Sequence, residues 1–295
     1  MSHLLSIGGV RLATCCPQGI ELFLSDPSYS DFIYNEIPGD IGTAEISIDV
    51  SFGRVHDIKD LRNCFETGQS WSLFLDGDNY LLKFQREGSG ESYMTASVSH
   101  DISKVELFCS GDFIDDKGRA YNPLQYPLDQ ILLMQYLVKH EGVIAHSAGM
   151  SLNGNGYIFP GYSGAGKSTL CRSLVLGNEV MLLSDDRIII RKESDVFMIY
   201  GTPWPGDAGI AVNRSVPLKG VFFLEKSGDN IIQRIDETEA LRRFMSVLSV
   251  PWYDKDSISD SLSLVSELVY RMPSYVLQFK PGEEVGDTIE KFVSA

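Results

Sequence analysis

The chain has 295 residues, 43% of them hydrophobic and 22% charged, which is the composition of an ordinary globular protein with one large domain or two modest ones. Its net charge of −15 argues against nucleic acid or an anionic membrane as the main partner, because both select basic surfaces. The five cysteines are scattered without a zinc-ligand spacing, and the apolar runs are too short to cross a bilayer. These features together predict a cytoplasmic protein.

Residues 1–124 are predicted to form a β-rich domain. Runs with strand-like alternation are separated by turn signals such as Asp76-Gly77-Asp78. The predicted strands are Ile20–Leu24, Ala44–Val50, Trp71–Leu75, Tyr80–Phe84, Ser92–Val98 and Lys104–Cys109. None of these runs carries recognisable chemistry, so the role of the domain, acceptor recognition or regulation, stays open.

Residues 125–295 are predicted to form a second domain that mixes helices and strands. A helix is predicted over Leu128–His140, directly after Pro127, and a β-hairpin over VIAHSAGMSL and GYIF with its turn at Asn153-Gly154-Asn155. The later predicted elements are a helix from Lys167 to Gly177, strands Val180–Ser184 and Leu218–Lys226, helices Glu237–Leu248 and Ser257–Arg271, strand Tyr275–Phe279 and helix Val285–Val293.

The stretch GYSGAGKST contains the Walker A pattern G-x-x-x-x-G-K-[ST] between a predicted strand and a predicted helix. Glycines let the backbone wrap closely around an anion, and the N–H groups at the start of the helix then face the phosphates. In this pattern Lys167 reaches the β- and γ-phosphates, and the Ser168 hydroxyl holds Mg²⁺. The predicted nucleotide-binding residues are Gly161, Ser163, Gly164, Ala165, Gly166, Lys167, Ser168 and Thr169.

Two adjacent aspartates, Asp185 and Asp186, follow the buried strand VMLLS. An acidic residue at this position can hold the hydration shell of a metal, as a Walker B aspartate does. A second carboxylate beside it can accept a proton from an attacking hydroxyl or water. Asp185 is therefore the predicted metal ligand with Ser168, and Asp186 the predicted base, although the opposite division is nearly as well supported because neighbouring carboxylates titrate as a pair.

The chain lacks the LSGGQ signature of transporter ATPases and the N-K-x-D motif of GTPases, but it has His146 fifteen residues before Gly161. The series H-x14-G-x-S-G-x-G-K-S, a short helix and a hydrophobic strand followed by Asp185-Asp186-Arg187 resembles the catalytic domain of HPr kinase/phosphorylase and its relatives. The resemblance covers residues 127–235. It implies an α/β fold of the PEP carboxykinase type, a P-loop domain with a mixed sheet, here preceded by the smaller β-rich domain.

Further motifs are similar to the branch of HPr-kinase-related proteins, which includes kinases of lasso peptides. YGTPWPGDAG, from Tyr200 to Gly209, looks like the glycine-containing loop of this branch, and Trp204 and Asp207 would belong to a substrate loop or to a rigid turn. Arg214 lies where the family has an arginine close to the phosphates. The E-I-R-G-L-G-type signature of phosphorylase-competent enzymes is missing, which argues against the reverse reaction and against HPr itself as substrate.

The resemblance implies a kinase that uses ATP and Mg²⁺ to phosphorylate a serine hydroxyl of a peptide or small protein, such as a ribosomal peptide precursor. The predicted catalytic residues are His146, Lys167, Asp185, Asp186 and Arg214. His146 would steer the base or stabilise the phosphoryl group, or it would be an ordinary core histidine. A small-molecule alcohol as acceptor, a non-catalytic nucleotide sensor and a homo-oligomer all remain open at this point.

Overall fold

The structure is a computed structural model that describes residues 2–34, 44–55, 58, 61–68, 70–174, 180–280, 282 and 284–294. The chain divides into two compact units, Met1–Tyr136 and Leu137–Ala295. The domain boundary between residues 124 and 125 stays a prediction. No helix in the described part of the chain is long and apolar enough to span a membrane.

The first unit is built on an eight-stranded mixed sheet. Its strands are β1 (Ser2–Ile7), β2 (Val10–Cys15), β3 (Leu22–Phe23), β4 (Ile46–Gly53), β5 (Arg62–Glu66), β6 (Trp71–Asp76), β7 (Asn79–Gln85), β8 (Ser92–Val98), β9 (Lys104–Ser110) and β10 (Ala120–Tyr121). The order in the large sheet is β1-β2-β4-β9-β8-β7-β6-β5, and β3 pairs with β10 separately. The β-rich character predicted from the sequence is confirmed.

Most of the predicted strands of this unit are present, but four strands, β1, β2, β5 and β10, were missed. β1 and β2 form a hairpin around Gly8 and Gly9, both of which have positive φ angles, so the Gly-Gly pair was a usable turn signal. β5 pairs with β6 at the edge of the sheet, and its alternation is weak. The strand predicted over Ile20–Leu24 shortens to the two residues of β3, which pair with β10.

A buried tyrosine joins two helical segments of the first unit. Tyr29 lies in the 3₁₀ helix Pro27–Phe32 and is 1% exposed, while Asp129 lies in the first turn of α1 (Leu128–Val138) and is fully buried. The Tyr29 hydroxyl donates to the Asp129 carboxylate at 2.7 Å and accepts from the backbone N–H of Tyr126 at 2.8 Å. The Tyr29 hydroxyl therefore forms hydrogen bonds with the buried Asp129 side chain and with a backbone N–H group at the same time.

Replacing Tyr29 by phenylalanine is expected to lower the free energy of unfolding by about 2 kcal/mol, because both hydrogen bonds are lost while the ring still packs. Urea denaturation followed by circular dichroism measures the change. The matched control is Tyr34→Phe, since Tyr34 is 36% exposed and lies in the same unit. An equal effect of the two substitutions would show that the buried hydrogen bonds contribute nothing.

The second unit contains a nine-stranded mixed sheet with helices packed against it. Its elements are β11 (Gly142–Leu152), β12 (Asn155–Pro160), α2 (Lys167–Leu174), β13 (Val180–Ser184), β14 (Arg187–Glu193), β15 (Val196–Tyr200), β16 (Ser215–Lys226), β17 (Ile231–Arg234), α3 (Glu237–Met245), β18 (Leu248–Ser249), α4 (Lys255–Arg271), β19 (Ser274–Phe279) and α5 (Glu284–Ser294). α3 and α4 begin at the capping aspartates Asp236 and Asp254, whose carboxylates accept from N–H groups of the first turn.

The strands of the second unit close into a ring. The sheet runs β12-β11-β14-β15-β16, and β16 also pairs in parallel with β12. One apolar cluster packs α3 and α4 against these strands, and a second cluster packs α2 and α5 against β12, β16 and β19. The mixed sheet and the strand–loop–helix order around residues 155–174 agree with the predicted fold class.

Several element boundaries differ from the predictions for physical reasons. The helix predicted to continue to Leu248 ends at Met245, because Leu248 pairs with Ala145 of β11 as part of a short strand. The end of the helix predicted at Gly177 lies outside the described residues. The predicted turn at Asn153-Gly154 is confirmed, with positive φ angles of 51° and 76° that fit a tight hairpin.

Candidate active site

The glycine-rich loop connects the end of β12 at Pro160 with the start of α2 at Lys167. Gly164 and Gly166 have φ angles of 81° and 105°, a region that residues with a Cβ rarely adopt. A Cβ on Gly166 would also lie 2.7 Å from the ring of Phe279. The loop conformation therefore requires these glycines.

Lys167 is buried in the loop, with a relative exposure of 6%. Its Nζ donates to the carbonyl oxygens of Gly161 at 2.8 Å and Tyr162 at 3.2 Å. Burial lowers the pKa of Lys167, while the nearby carboxylate of Asp186 acts in the opposite direction. A cation with incomplete solvation beside a glycine loop is well suited to bind an anion, because the anion restores the interactions that burial removes.

The two aspartates lie where β13 passes into β14, opposite β11. Gly149 pairs with Ser184 at the end of β13, and His146 pairs with Arg187 at the start of β14. The Ser184 hydroxyl accepts weakly from the backbone N–H groups of both Asp186 and Arg187. β11 thus lies between β12, which leads into the glycine loop, and β13, which ends directly before the two aspartates.

His146 and Asp186 form a direct contact beside the loop. The Nε2 atom of His146 lies 2.9 Å from Oδ1 of Asp186, and Nε of Arg187 lies 3.6 Å from Oδ2. Burial would raise the pKa of Asp186, but the hydrogen bond with His146 and the charges of Arg187 and Lys167 outweigh it and hold this pKa below its usual value. Asp186 is therefore a carboxylate throughout the neutral pH range.

Asp185 is fully buried and has a different set of hydrogen-bond partners. Its carboxylate accepts the backbone N–H groups of Gly206 at 2.9 Å, Ala208 at 2.7 Å and Ile210 at 3.2 Å. The two adjacent carboxylates therefore have different surroundings. Asp186 contacts side chains beside the glycine loop, whereas Asp185 contacts the backbone of residues 206–210.

A cavity of about 340 Å³ lies in front of the glycine loop. All loop residues predicted to bind nucleotide line it except Gly161 and Ala165, and His146 and Asp186 line it as well. Asp185 and Arg214 are not part of its lining. The structure thus brings the loop, the histidine and one of the two aspartates together, while the exposed Arg214 lies elsewhere.

Two cationic residues of the cavity lining, Arg172 and Lys226, were missed by the sequence reasoning. Arg172 lies on α2, one turn beyond Ser168, and Lys226 ends β16. Because β16 runs parallel to β12, their carboxyl ends meet at the same edge of the sheet. The parallel pairing could not be read from the sequence, but a lysine at the end of a buried strand in a P-loop domain was an available signal.

Comparison with known proteins supports the relationship suggested by the motifs. The putative HPr kinase/phosphorylase 2 of Oceanobacillus iheyensis is 30% identical to this chain over 154 residues, which cover 50% of this chain and 46% of that protein. The HPr kinase/phosphorylase of Mycoplasma mycoides is 30% identical over 169 residues, which cover 50% of this chain and 52% of that protein. The chain spans about half the length of the curated relatives it matches.

A solved structure of the Hpr(Ser) kinase/phosphatase from Coxiella burnetii also matches, with 13% sequence identity and a TM-score of 0.31 over 51% of this chain and 93% of that chain. Both curated relatives are named as HPr kinase/phosphorylases, the family that the motifs around the glycine loop resemble. The chain belongs to the family described as SynChlorMet cassette protein ScmC, whose model matches residues 124–294.

Proposed function

We propose that this protein is an ATP-dependent kinase that transfers the γ-phosphoryl group to a serine hydroxyl of a peptide or small protein. The observation that supports it is the convergence of Lys167, Ser168, His146 and Asp186 on one cavity. A nucleotide-binding sensor needs the loop but not a histidine–carboxylate pair at the end of the phosphate site. The named curated relatives are kinase/phosphorylases, which is consistent with a transfer reaction.

The residues that line the cavity fit a nucleotide polyphosphate and Mg²⁺. Lys167 would hold the β- and γ-phosphates in place of the two loop carbonyls that its ammonium group now contacts, with Arg172 and Lys226 as further cations. Ser168 would hold Mg²⁺. The metal supplies positive charge that offsets the charge of the transferring group. An acidic chain binds a polyphosphate only where cations are concentrated, as they are in this cavity.

In the proposed reaction a hydroxyl oxygen forms a new bond to the γ-phosphorus while the bond to the bridging oxygen breaks. The nucleoside diphosphate leaves with the electron pair of the broken bond, and the hydroxyl proton passes to the carboxylate of Asp186. The low pKa of Asp186 keeps it ionised, so it can orient the hydroxyl before transfer and receive the proton late. His146, at 2.9 Å, fixes the carboxylate orientation.

Transfer of label from γ-labelled ATP to synthetic serine peptides, in the presence of Mg²⁺, tests the proposal. Asp186→Asn keeps the size of the side chain but removes its charge, and it is expected to lower the transfer rate by about 10²- to 10⁴-fold. Asp260→Asn, an exposed position on α4, is the matched control and is expected to retain the wild-type rate.

Three outcomes of this experiment are informative. Transfer that survives Asp186→Asn would remove Asp186 from the reaction. Nucleotide binding without transfer to any peptide would support the sensor function instead. Transfer to a small alcohol such as glycerol in preference to peptides would replace the peptide acceptor with a small-molecule acceptor.

A further inference from the structure

The fully buried carboxylate of Asp185 is surrounded by the backbone of one loop. The N–H groups of Gly206, Ala208 and Ile210 all donate to it, at 2.9, 2.7 and 3.2 Å. These donors belong to alternate residues, so the loop curves around the carboxylate as a concave anion site. Because a buried polar group is costly without hydrogen-bond partners, the loop conformation and the buried Asp185 side chain depend on each other.

The fit between Asp185 and the loop is close. A Cβ on Gly206 would lie 2.9 Å from Oδ2 of Asp185 and 3.2 Å from Cβ of Asp186. Gly206 therefore has to be glycine because the carboxylate approaches its backbone closely. The loop also closes on itself, since the N–H of Gly209 donates to the carbonyl of Gly206 at 3.0 Å.

The same loop forms part of the wall of the active-site cavity. Gly206 and Asp207 line the cavity together with Lys167 and Asp186. Arg172 of α2, another lining residue, approaches the carbonyl of Asp207 at 3.4 Å. Asp185 therefore holds this loop through hydrogen bonds to its backbone. Arg172 of α2, the helix that follows the glycine loop, contacts the same loop at Asp207.

The geometry points to Asp185 as a positioning residue that shapes the acceptor side of the cavity by organising residues 206–210, rather than as a ligand of the metal. This inference rests on the proposed kinase function. The two adjacent aspartates then have separate tasks, because Asp186 faces the reactants and Asp185 holds the loop that presents Asp207 to the acceptor. Asp185 acts on the reaction only through this loop.

Amide hydrogen exchange of the wild-type protein, measured by NMR, tests the loop contact without any activity. The amides of Gly206, Ala208 and Ile210 are expected to exchange more slowly than that of Asp207, the residue between two of the donors. Asp185→Asn places an amide group among N–H donors, so it is expected to speed the exchange of these three amides by at least about tenfold. Asp207→Ala is the matched control, because it leaves the backbone donors and their acceptor in place.

Kinetics separates the positioning role from a metal-ligand role. Asp185→Asn is expected to lower kcat/KM for a peptide acceptor by about 10²-fold, because the acceptor is misplaced. The affinity for a fluorescent ATP analogue and the Mg²⁺ concentration that gives half-maximal binding should stay at wild-type values. A shift of that Mg²⁺ dependence with unchanged loop exchange would make Asp185 a metal ligand and overturn the inference.

The proposed kinase function and the positioning role of Asp185 would be contradicted by different results. If the wild-type protein transfers no phosphate but shows the expected exchange pattern, the kinase function fails while the loop contact stands. If Asp185→Asn does not fold, the exchange pattern of the wild-type protein still tests the contact between Asp185 and the loop. Rapid exchange of Gly206, Ala208 and Ile210 in the wild-type protein would contradict the positioning role directly.

Discussion

Replacing Lys167 by alanine is expected to lower kcat/KM for phosphoryl transfer by about 10³-fold. Lys167 is 6% exposed and faces the cavity from within the glycine loop, where its charge is poorly screened by water. An electrostatic interaction in such a site is much stronger than in bulk water. Initial rates with γ-labelled ATP and a serine peptide measure the loss.

Two further variants show whether the effect comes from this ammonium group. Lys167→Arg is also expected to be inactive, because the planar guanidinium cannot occupy the space that the two loop carbonyls leave. Lys219→Ala removes an exposed lysine of β16 outside the cavity and should retain full activity. A Lys167→Ala protein with normal activity would show that the cavity is not the phosphate site.

Replacing Gly201 by alanine is expected to lower the free energy of unfolding by about 3 kcal/mol, the largest loss of stability expected from adding one methyl group. A Cβ at Gly201 would lie 2.0 Å from the carbonyl oxygen of Val212 and 2.6 Å from that of Leu183. Both are backbone atoms, and the N–H of Val212 already donates to Leu183 at 3.0 Å. Side-chain rotation cannot relieve the clash, so the backbone at Gly201 must move away from the backbone of Val212 and Leu183.

The matched control for this effect is Gly228→Ala, because no atom lies within 4 Å of a Cβ built at Gly228. Its free energy of unfolding should stay within about 0.5 kcal/mol of the wild-type value in urea denaturation. Gly201 precedes the loop held by Asp185, so Gly201→Ala should also speed amide exchange at residues 206–210. A stable Gly201→Ala protein would mean that the close approach of the three backbone segments is not required.

The glycine loop could be predicted from the sequence because its requirements are local. Gly164 and Gly166 have conformations that only glycine adopts easily, and the lysine and serine follow at fixed positions. The sequence analysis predicted His146 as a catalytic residue that would steer the base or stabilise the phosphoryl group, but it did not predict the direct contact with Asp186. The structure places both in the same cavity, while their catalytic roles stay predictions.

Features that depend on tertiary pairing could not be predicted in the same way. Arg172 and Lys226 reach the cavity because α2 and the end of β16 meet beside the loop, and neither residue belongs to a motif. Arg214 was predicted from the resemblance to the family and lies outside the cavity lining. The different surroundings of Asp185 and Asp186 arise from a loop that begins 21 residues further along the chain, which the sequence of the pair alone does not indicate.

The β11–β12 hairpin determines which changes of chain length the site can tolerate. Ser147 pairs with Pro160, and the N–H of Gly161 donates to the carbonyl of His146 at 3.2 Å, so the register of this hairpin sets the separation of the histidine from the glycine loop. Extra residues at the Asn153-Gly154 tip lie beyond the last pair of the ladder and leave that separation unchanged. A single residue inserted between 147 and 152 would shift the register of β11, so that its side chains on one side of the insertion change to the opposite face of the sheet. His146 would then move away from Asp186. Tags or reporter sequences for following this protein in cells therefore belong at the hairpin tip.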